Sequence, residues 1–285
     1  MQNLTWINFP PKLGKNQKKN GDHMTHATHA EASSPPILKK VTFADIGAAL
    51  RAGISDFRRA PAFGLFFSAL MVIGGNLISL ELAVQGREYW VIPLALGFPL
   101  LAPFLAVGLY EVSRRLETGE PLEWPAILGV VVDQRHRQIP SMAMMMIMFF
   151  MFWVFLAHLV FAIFMGLQPM TNIITNWQDT LFTRNGLTML AVGTLIGAVL
   201  AFMLFALTAV SLPMLLDREI DFITAMINSF KLVEQNLVPM LGWGLLISVA
   251  VLVAMLPYFL GLFLVLPVVA HATWHLYRRA VTYDD

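Results

Sequence analysis

The chain has 285 residues, 57% of them hydrophobic and 13% charged, with a net charge of +1 and no cysteine. A soluble domain carries about 25% charged residues, so composition points away from a soluble globular fold and towards an all-α, polytopic membrane protein. The near-zero charge implies no acidic partner, so no nucleic acid, and the lack of cysteine excludes disulfides, thiolate metal sites and cysteine nucleophiles.

Residues 1–40 hold Lys, Asn, His, Ser and Pro with little apolar content. Such a segment cannot bury a core and is expected to be a disordered cytoplasmic tail. His23, His26 and His29 are evenly spaced, and histidine is a common metal ligand. A disordered tail does not hold three rings in one geometry, so no metal is expected there. These residues lack the apolar core of a cleavable signal peptide, and Met24 is an alternative start to Met1.

Residues 41–285 read as the membrane domain. No Asp, Glu, Lys or Arg occurs in Pro61–Leu80, Tyr89–Tyr110, Gln138–Gln178, Asn185–Leu216 or Gln235–Tyr277. A helix needs about 20 apolar residues to cross the bilayer core. The third run splits into an apolar Ile139–Leu167 and a loop-like Gln168–Gln178. The last run is about twice the length of one span. It is best cut at Leu256-Pro257-Tyr258, because proline disfavours helical geometry in the residue before it. Six spans result. With six, 17 Lys and Arg residues fall on one side and only Arg87 and Arg184 on the other. The positive-inside rule then places both termini in the cytoplasm.

Two stretches echo each other, GFPLLAPFLAVGLYEVSRR from Gly97 to Arg115 and GLFLVLPVVAHATWHLYRR from Gly261 to Arg279. Gly97 and Gly261 are small enough to admit a neighbouring helix. Pro103 and Pro267 each remove a backbone hydrogen bond in mid-span. Ahead of the odd-numbered spans lie three amphipathic stripes: Phe43, Ile46, Leu50, Ile54 and Phe57; Trp124, Ile127, Leu128 and Val131; and Phe222, Met226, Phe230, Val233 and Leu237. Each precedes a proline at the membrane entry, Pro61, Pro140 or Pro239, and Thr42 with Asp45 forms a capping pair for the first. The expectation is a threefold pseudo-repeat, about 41–116, 120–218 and 219–282, of an interfacial helix lying on the cytoplasmic surface followed by a transmembrane hairpin.

Polar groups inside a membrane call first for a functional reading. His158 lies in the third span, where an interhelical hydrogen bond is the simplest role. His271 and His275 share a face of the sixth span and are the candidates for holding a cofactor such as haem. Their position beside Trp274 and Tyr277 also fits an aromatic interfacial belt. Met144, Met148 and Met151 share a face, and thioethers suit Cu(I), but methionine also packs adaptably. Gly193 and Gly197, followed by Ala201, form a small-residue stripe for close helix contact, within the chain or across a dimer. No phosphate loop, zinc motif, nucleophile elbow or paired catalytic carboxylates occur. No enzymatic activity and no cofactor are therefore expected.

DFRRAPAFGLFFSAL, WVIPLALGFPLLAPFLAVGLYEVSRRLETGEPLEW, SLPMLLDREIDFITAM and HATWHLYRRA together resemble an uncharacterised family of bacterial predicted integral membrane proteins, over roughly residues 40–282. Some members of that family carry the label "putative cytochrome c oxidase subunit". The resemblance implies a bacterial inner-membrane location and no established activity. Three membrane histidines at mismatched depths do not make a catalytic haem-copper subunit. Two readings follow: a scaffold or accessory factor for a larger membrane complex, such as a respiratory oxidase, or a transporter or channel for a small or lipid-like solute. Oligomeric state is open in both.

Overall fold

The computed structural model describes residues 35–84, 102–134, 137–166 and 177–284. By contacts the chain divides into Met1–Ala32 and Ser33–Asp285. The first unit lies outside the described residues, as do His23, His26, His29 and Gly97 of the sequence reading.

Among its described residues the second unit is all-α apart from one short strand pair. Its elements run β1 (Ile37–Leu38), α1 (Phe43–Arg59), α2 (Pro61–Val84), α3 (Ala102–Thr118), α4 (Trp124–Asp133), α5 (Ile139–Met165), α6 (Trp177–Phe182), α7 (Arg184–Thr208), α8 (Ser211–Asp217), α9 (Phe222–Gln235), α10 (Leu237–Met255), α11 (Leu262–Ala280) and β2 (Val281–Thr282). Among the described residues, three stretches are long and apolar enough to cross a membrane alone: Ile139–Met165, Arg184–Asp217 and Leu237–Met255. The pair α1–α2 passes the same test only jointly and is bent by 98°. The bend sits at Ala60, whose φ of −135° and ψ of 53° leave the helical region ahead of Pro61.

Local chemistry explains the ends of these helices. Thr42 Oγ1 accepts from the Asp45 amide while Asp45 Oδ2 accepts from the Thr42 amide, the reciprocal capping box read from the sequence. At α9, Asp221 Oδ1 accepts from the Thr224 amide at 2.9 Å. That hydrogen bond holds the Asp221 carboxyl below its ordinary value of 3.8. Asp221→Ala is expected to destabilise the fold by about 1 kcal/mol, a usual loss for a cap. Because the folded-state pKa is lowered, the cap contributes fully above the ordinary carboxylate value and is lost as pH falls through the folded one. Denaturant titration of both forms at pH 7 and pH 3 should show a gap that narrows in acid.

The chain turns between Met255 and Leu262, where the sequence places its cut. Tyr258 and Phe259 adopt φ of 52° and 65°, left-handed values that non-glycine residues rarely take. Asn76 Nδ2 holds the turn by donating to the Tyr258 carbonyl at 2.8 Å.

Helix α11 is the hub, packing on α1, α2, α3, α8 and α10. Trp274, Leu276, Tyr277 and Ala280 have no exposed surface. Trp274 and Tyr277 are therefore core residues and not an interfacial belt, because α1, α3 and α8 enclose this end of α11. Just beyond it, β2 pairs antiparallel with β1 in the register Leu38↔Val281. Asn236 ties the same corner, accepting from the Val41 amide and donating to the Lys39 carbonyl. Residues 35–40, expected as part of the disordered tail, thus include a strand that pairs with the C-terminal segment.

The residues of the first amphipathic stripe divide between the surface and the core. The residues of α1 that bury against α11 are Ile46, Ala49, Gly53 and Asp56, whereas Phe43 is 60% and Ile54 37% exposed. Close crossing selects the small residues. A Cβ at Gly53 would lie 2.6 Å from the Ala272 amide nitrogen and 2.7 Å from the Val268 carbonyl oxygen.

Candidate functional site

Two features stand out, a polar junction around the C-terminal half of α11 and an apolar cavity within the helices.

At the junction, His275 Nε2 meets Asp56 Oδ2 of α1 at 2.7 Å, and His271 Nδ1 meets Ser113 Oγ of α3 at 2.7 Å. Burial pushes the Asp56 carboxyl up, but hydrogen bonding and charge from His275, with Ser113 and His271 behind, hold it below the usual carboxylate range. The two histidines read as a cofactor pair therefore turn to different partners on different helices. His271 is fully buried. Beside them Glu111 is 1% exposed and receives both guanidinia of the Arg114-Arg115 pair, Arg114 through Nε and Nη2 at 2.8 Å and Arg115 through Nε at 2.6 Å. The second pair, Arg278-Arg279, reaches Glu117 and Asp217 from Arg278 and Asp45 from Arg279. Trp274 Nε1 donates to Glu117, and the Tyr277 hydroxyl donates to Asp217. The junction locks α1, α3, α8 and α11 together. Among the described residues no group of three or more His, Cys, Asp or Glu could hold a metal ion.

His158 takes a different place from the expected one. It is exposed on α5, and its Nδ1–H donates to the Val154 carbonyl of its own helix at 2.8 Å, with no interhelical bond among the described residues. Met144, Met148 and Met151 are also exposed on α5. Gly193 and Gly197 face α5 within the chain. A Cβ there would meet Val160 and the Trp153 indole only at ordinary distances of 3.8 and 3.5 Å. Gly261 is tight, with its Cβ position 2.6 Å from Ala254 Cα, and Pro267 lies inside α11. Pro103 lies in the first turn described for α3.

The cavity is about 550 Å³ and partly open, and α2, α3, α5, α7, α10 and α11 all contribute to its wall. That is within the range of about 300–1,000 Å³ found for small-molecule sites. It lies where the α5–α7 hairpin faces the other helices, with Trp153, Gly197 and Ala201 on the hairpin side. Leu252 of α10 lines it and is 53% exposed. Its lining is mostly apolar and includes Ser68 and Trp243. Both residues are at most 1% exposed, and among the described residues neither the Ser68 hydroxyl nor the Trp243 indole N–H, both shut off from the cavity space, has a hydrogen-bond partner. Close packing positions both. A Cβ at Gly108 of α3 would lie 2.1 Å from the ring of Phe67, the neighbour of Ser68, and a Cβ at Gly244, the neighbour of Trp243, would lie 3.2 Å from the ring of Phe205.

Neither of these residues stood out in the sequence. One serine in an apolar run and one tryptophan near a helix entry are ordinary there, and only packing shows that they lack partners.

Long apolar helices whose outer faces carry exposed Leu, Phe, Met and Ile, closed by an ion-paired end, define an integral membrane protein. Residues 91–217 match the family model described as "Predicted integral membrane protein (DUF2189)", a family of unknown function. No curated protein and no solved structure matches the chain.

Proposed function

We propose that this chain admits a lipid-like solute from the bilayer into the cavity beside the α5–α7 hairpin, and so acts in binding or moving such a molecule. The carrying observation is the cavity itself, mostly apolar, ligand-sized and partly open. In this reading the chain has six spans in a bacterial inner membrane with both termini cytoplasmic. The order of a shorter helix followed by membrane helices, seen at α1–α3, α4–α7 and α9–α11, supports the threefold repeat. Helix α1 lies along the cytoplasmic headgroups. Exposed Phe43 and Ile54 fit the acyl boundary, and Arg51, Arg58 and Arg59, around one surface depression, fit anionic lipid.

The test is a lipid analysis of the protein purified in mild detergent, beside Ala201→Phe. Ala201 lines the cavity and is exposed within it, so the ring fills space without entering the core. The wild type should retain a stoichiometric lipid-like molecule that the variant loses. Equal retention by both would count against the cavity. Stoichiometric foreign subunits in place of lipid would favour the accessory-factor reading instead.

A further inference from the structure

We propose that the outward face of α1 is a discrete headgroup site for an anionic phospholipid, with Arg51, Arg58 and Arg59 holding the phosphate and Ile54 meeting an acyl chain. The inference rests on the placement of α1 at the headgroups given above and is independent of the cavity.

On one side, α1 buries Ile46, Ala49, Gly53 and Asp56 against α11. Arg51, Ile54, Ser55, Arg58 and Arg59 recur at the helical spacing of the opposite side. All five are exposed, and together they line one surface depression. The two carboxylates of α1 are engaged elsewhere. Asp45 caps the helix and meets Arg279, and Asp56 is buried on His275. Among the described residues none of the three guanidinia makes an ion pair or hydrogen bond, and neither does the Ser55 hydroxyl. The other arginines described on the cytoplasmic side differ. Arg114, Arg115, Arg137, Arg218, Arg278 and Arg279 each reach a carboxylate. Three like charges around one depression repel one another until an anion joins them. A guanidinium presents a planar fork that binds phosphate oxygens in pairs, and a serine hydroxyl can add a further donor.

Depth and apolar neighbours select a lipid among anions. Arg59 stands two residues ahead of Pro61, where the charge-free run Pro61–Leu80 begins. The axis of α1 leaves that of α2 at 98°, so with α2 crossing the bilayer α1 runs along its surface. Arg51, about 10 Å of helix rise from Arg58, then stays at the same level. Exposed Leu65 and Phe66 of α2 follow within two turns of Arg59. A soluble acidic partner would use the cations but leave Ile54, Leu65 and Phe66 uncovered, whereas a phospholipid meets both. A zwitterionic lipid brings its own cation to the cluster, and a lipid of net negative charge does not.

The experiment places the full-length protein in nanodiscs holding equal amounts of phosphatidylglycerol and phosphatidylcholine with the same chains. Lipids retained after extraction into mild detergent are read by native mass spectrometry. The wild type is expected to favour phosphatidylglycerol by on the order of fivefold for each guanidinium engaged. Arg51→Gln, Arg58→Gln and Arg59→Gln together should bring the ratio to about one. The melting temperature in phosphatidylcholine alone should stay level, because these exposed side chains make no bond among the described residues. Lys12→Gln, Lys15→Gln and Lys18→Gln together remove the same charge from the tail and should leave the ratio unchanged. An equal loss in the tail variant overturns the site, since diffuse charge then suffices. Equal retention of both lipids by the wild type also overturns it. If a poly-glutamate peptide then binds the wild type and not the arginine variant, the face belongs to a protein partner. Ala201→Phe should keep the preference. A preference that Ala201→Phe abolishes and the arginine variant retains overturns this site and leaves the cavity reading standing. A preference lost only in the arginine variant, with Ala201→Phe expelling no lipid, upholds this site and removes the cavity reading.

Discussion

Gly53→Ala is expected to pull α1 away from α11 and to cost about 2–3 kcal/mol, at the upper end of ordinary overpacking. The added methyl would sit 2.6 Å from a backbone nitrogen and 2.7 Å from a backbone oxygen. Backbone atoms inside a helix cannot swing aside as a side-chain tip can, so the whole of α1 must retreat. Retreat also opens the Asp56–His275 contact one turn further on. Against this stands a gain of up to about 1 kcal/mol from the better helix propensity of alanine. Gly47→Ala in the same helix is the control. Its Cβ position meets only the Arg51 guanidinium, at 3.7 Å. That variant should gain the propensity term alone and be neutral or slightly stabilised. Thermal unfolding of the two proteins in the same detergent should move in opposite directions. If both changed alike, the close crossing of α1 on α11 would be wrong.

Glu111→Ala is expected to cost about 3 kcal/mol, because removing one partner of a buried ion pair leaves the other charge uncompensated. Glu111 is the anion that both Arg114 and Arg115 share, and its side chain is 2% exposed. Arg114 keeps Glu120 as a second partner at 3.0 Å, which places the loss at the lower end of the range for buried pairs. Arg115 is 13% exposed, and its other carboxylate, on Glu120, stands at 3.9 Å. Glu111→Gln preserves the shape and one acceptor oxygen, so it should fall between wild type and alanine. Denaturant titration of the three proteins checks the order. A glutamine variant as damaged as alanine would mean that charge alone, and not hydrogen-bond geometry, holds the α3 end.

The wild-type sequence spoke clearly where the signal was local. Thr42 and Asp45 lie three residues apart, the spacing of a capping box, and the box is there. Pro257 lies in a run too long for one helix, and the chain turns there. Charge-free runs marked the helices Ile139–Met165 and Leu237–Met255. Each of these depends on backbone geometry or on transfer from water, and both act over a few residues.

Burial was the part that composition could not reveal. In a soluble protein an apolar face implies a core, but lipid tails and protein interiors are equally apolar, so hydropathy does not say which face of a membrane helix meets protein. For that reason the apolar stripe of α1 pointed to the membrane surface and did not point to Ala49 and Gly53, which bury against α11. Trp274 and Tyr277, by composition an interfacial belt, are instead hydrogen-bonded core residues. His158, a polar group in a span, satisfies itself on its own helix. By itself the sequence determined that this is a helical membrane protein, and where several of its helices start and turn. Only the tertiary structure decided that α11 is its centre, that α1 docks through glycine, and that Trp274 and Tyr277 are buried. Those outcomes depend on which side chains from distant segments occupy the same space, and no local pattern records that.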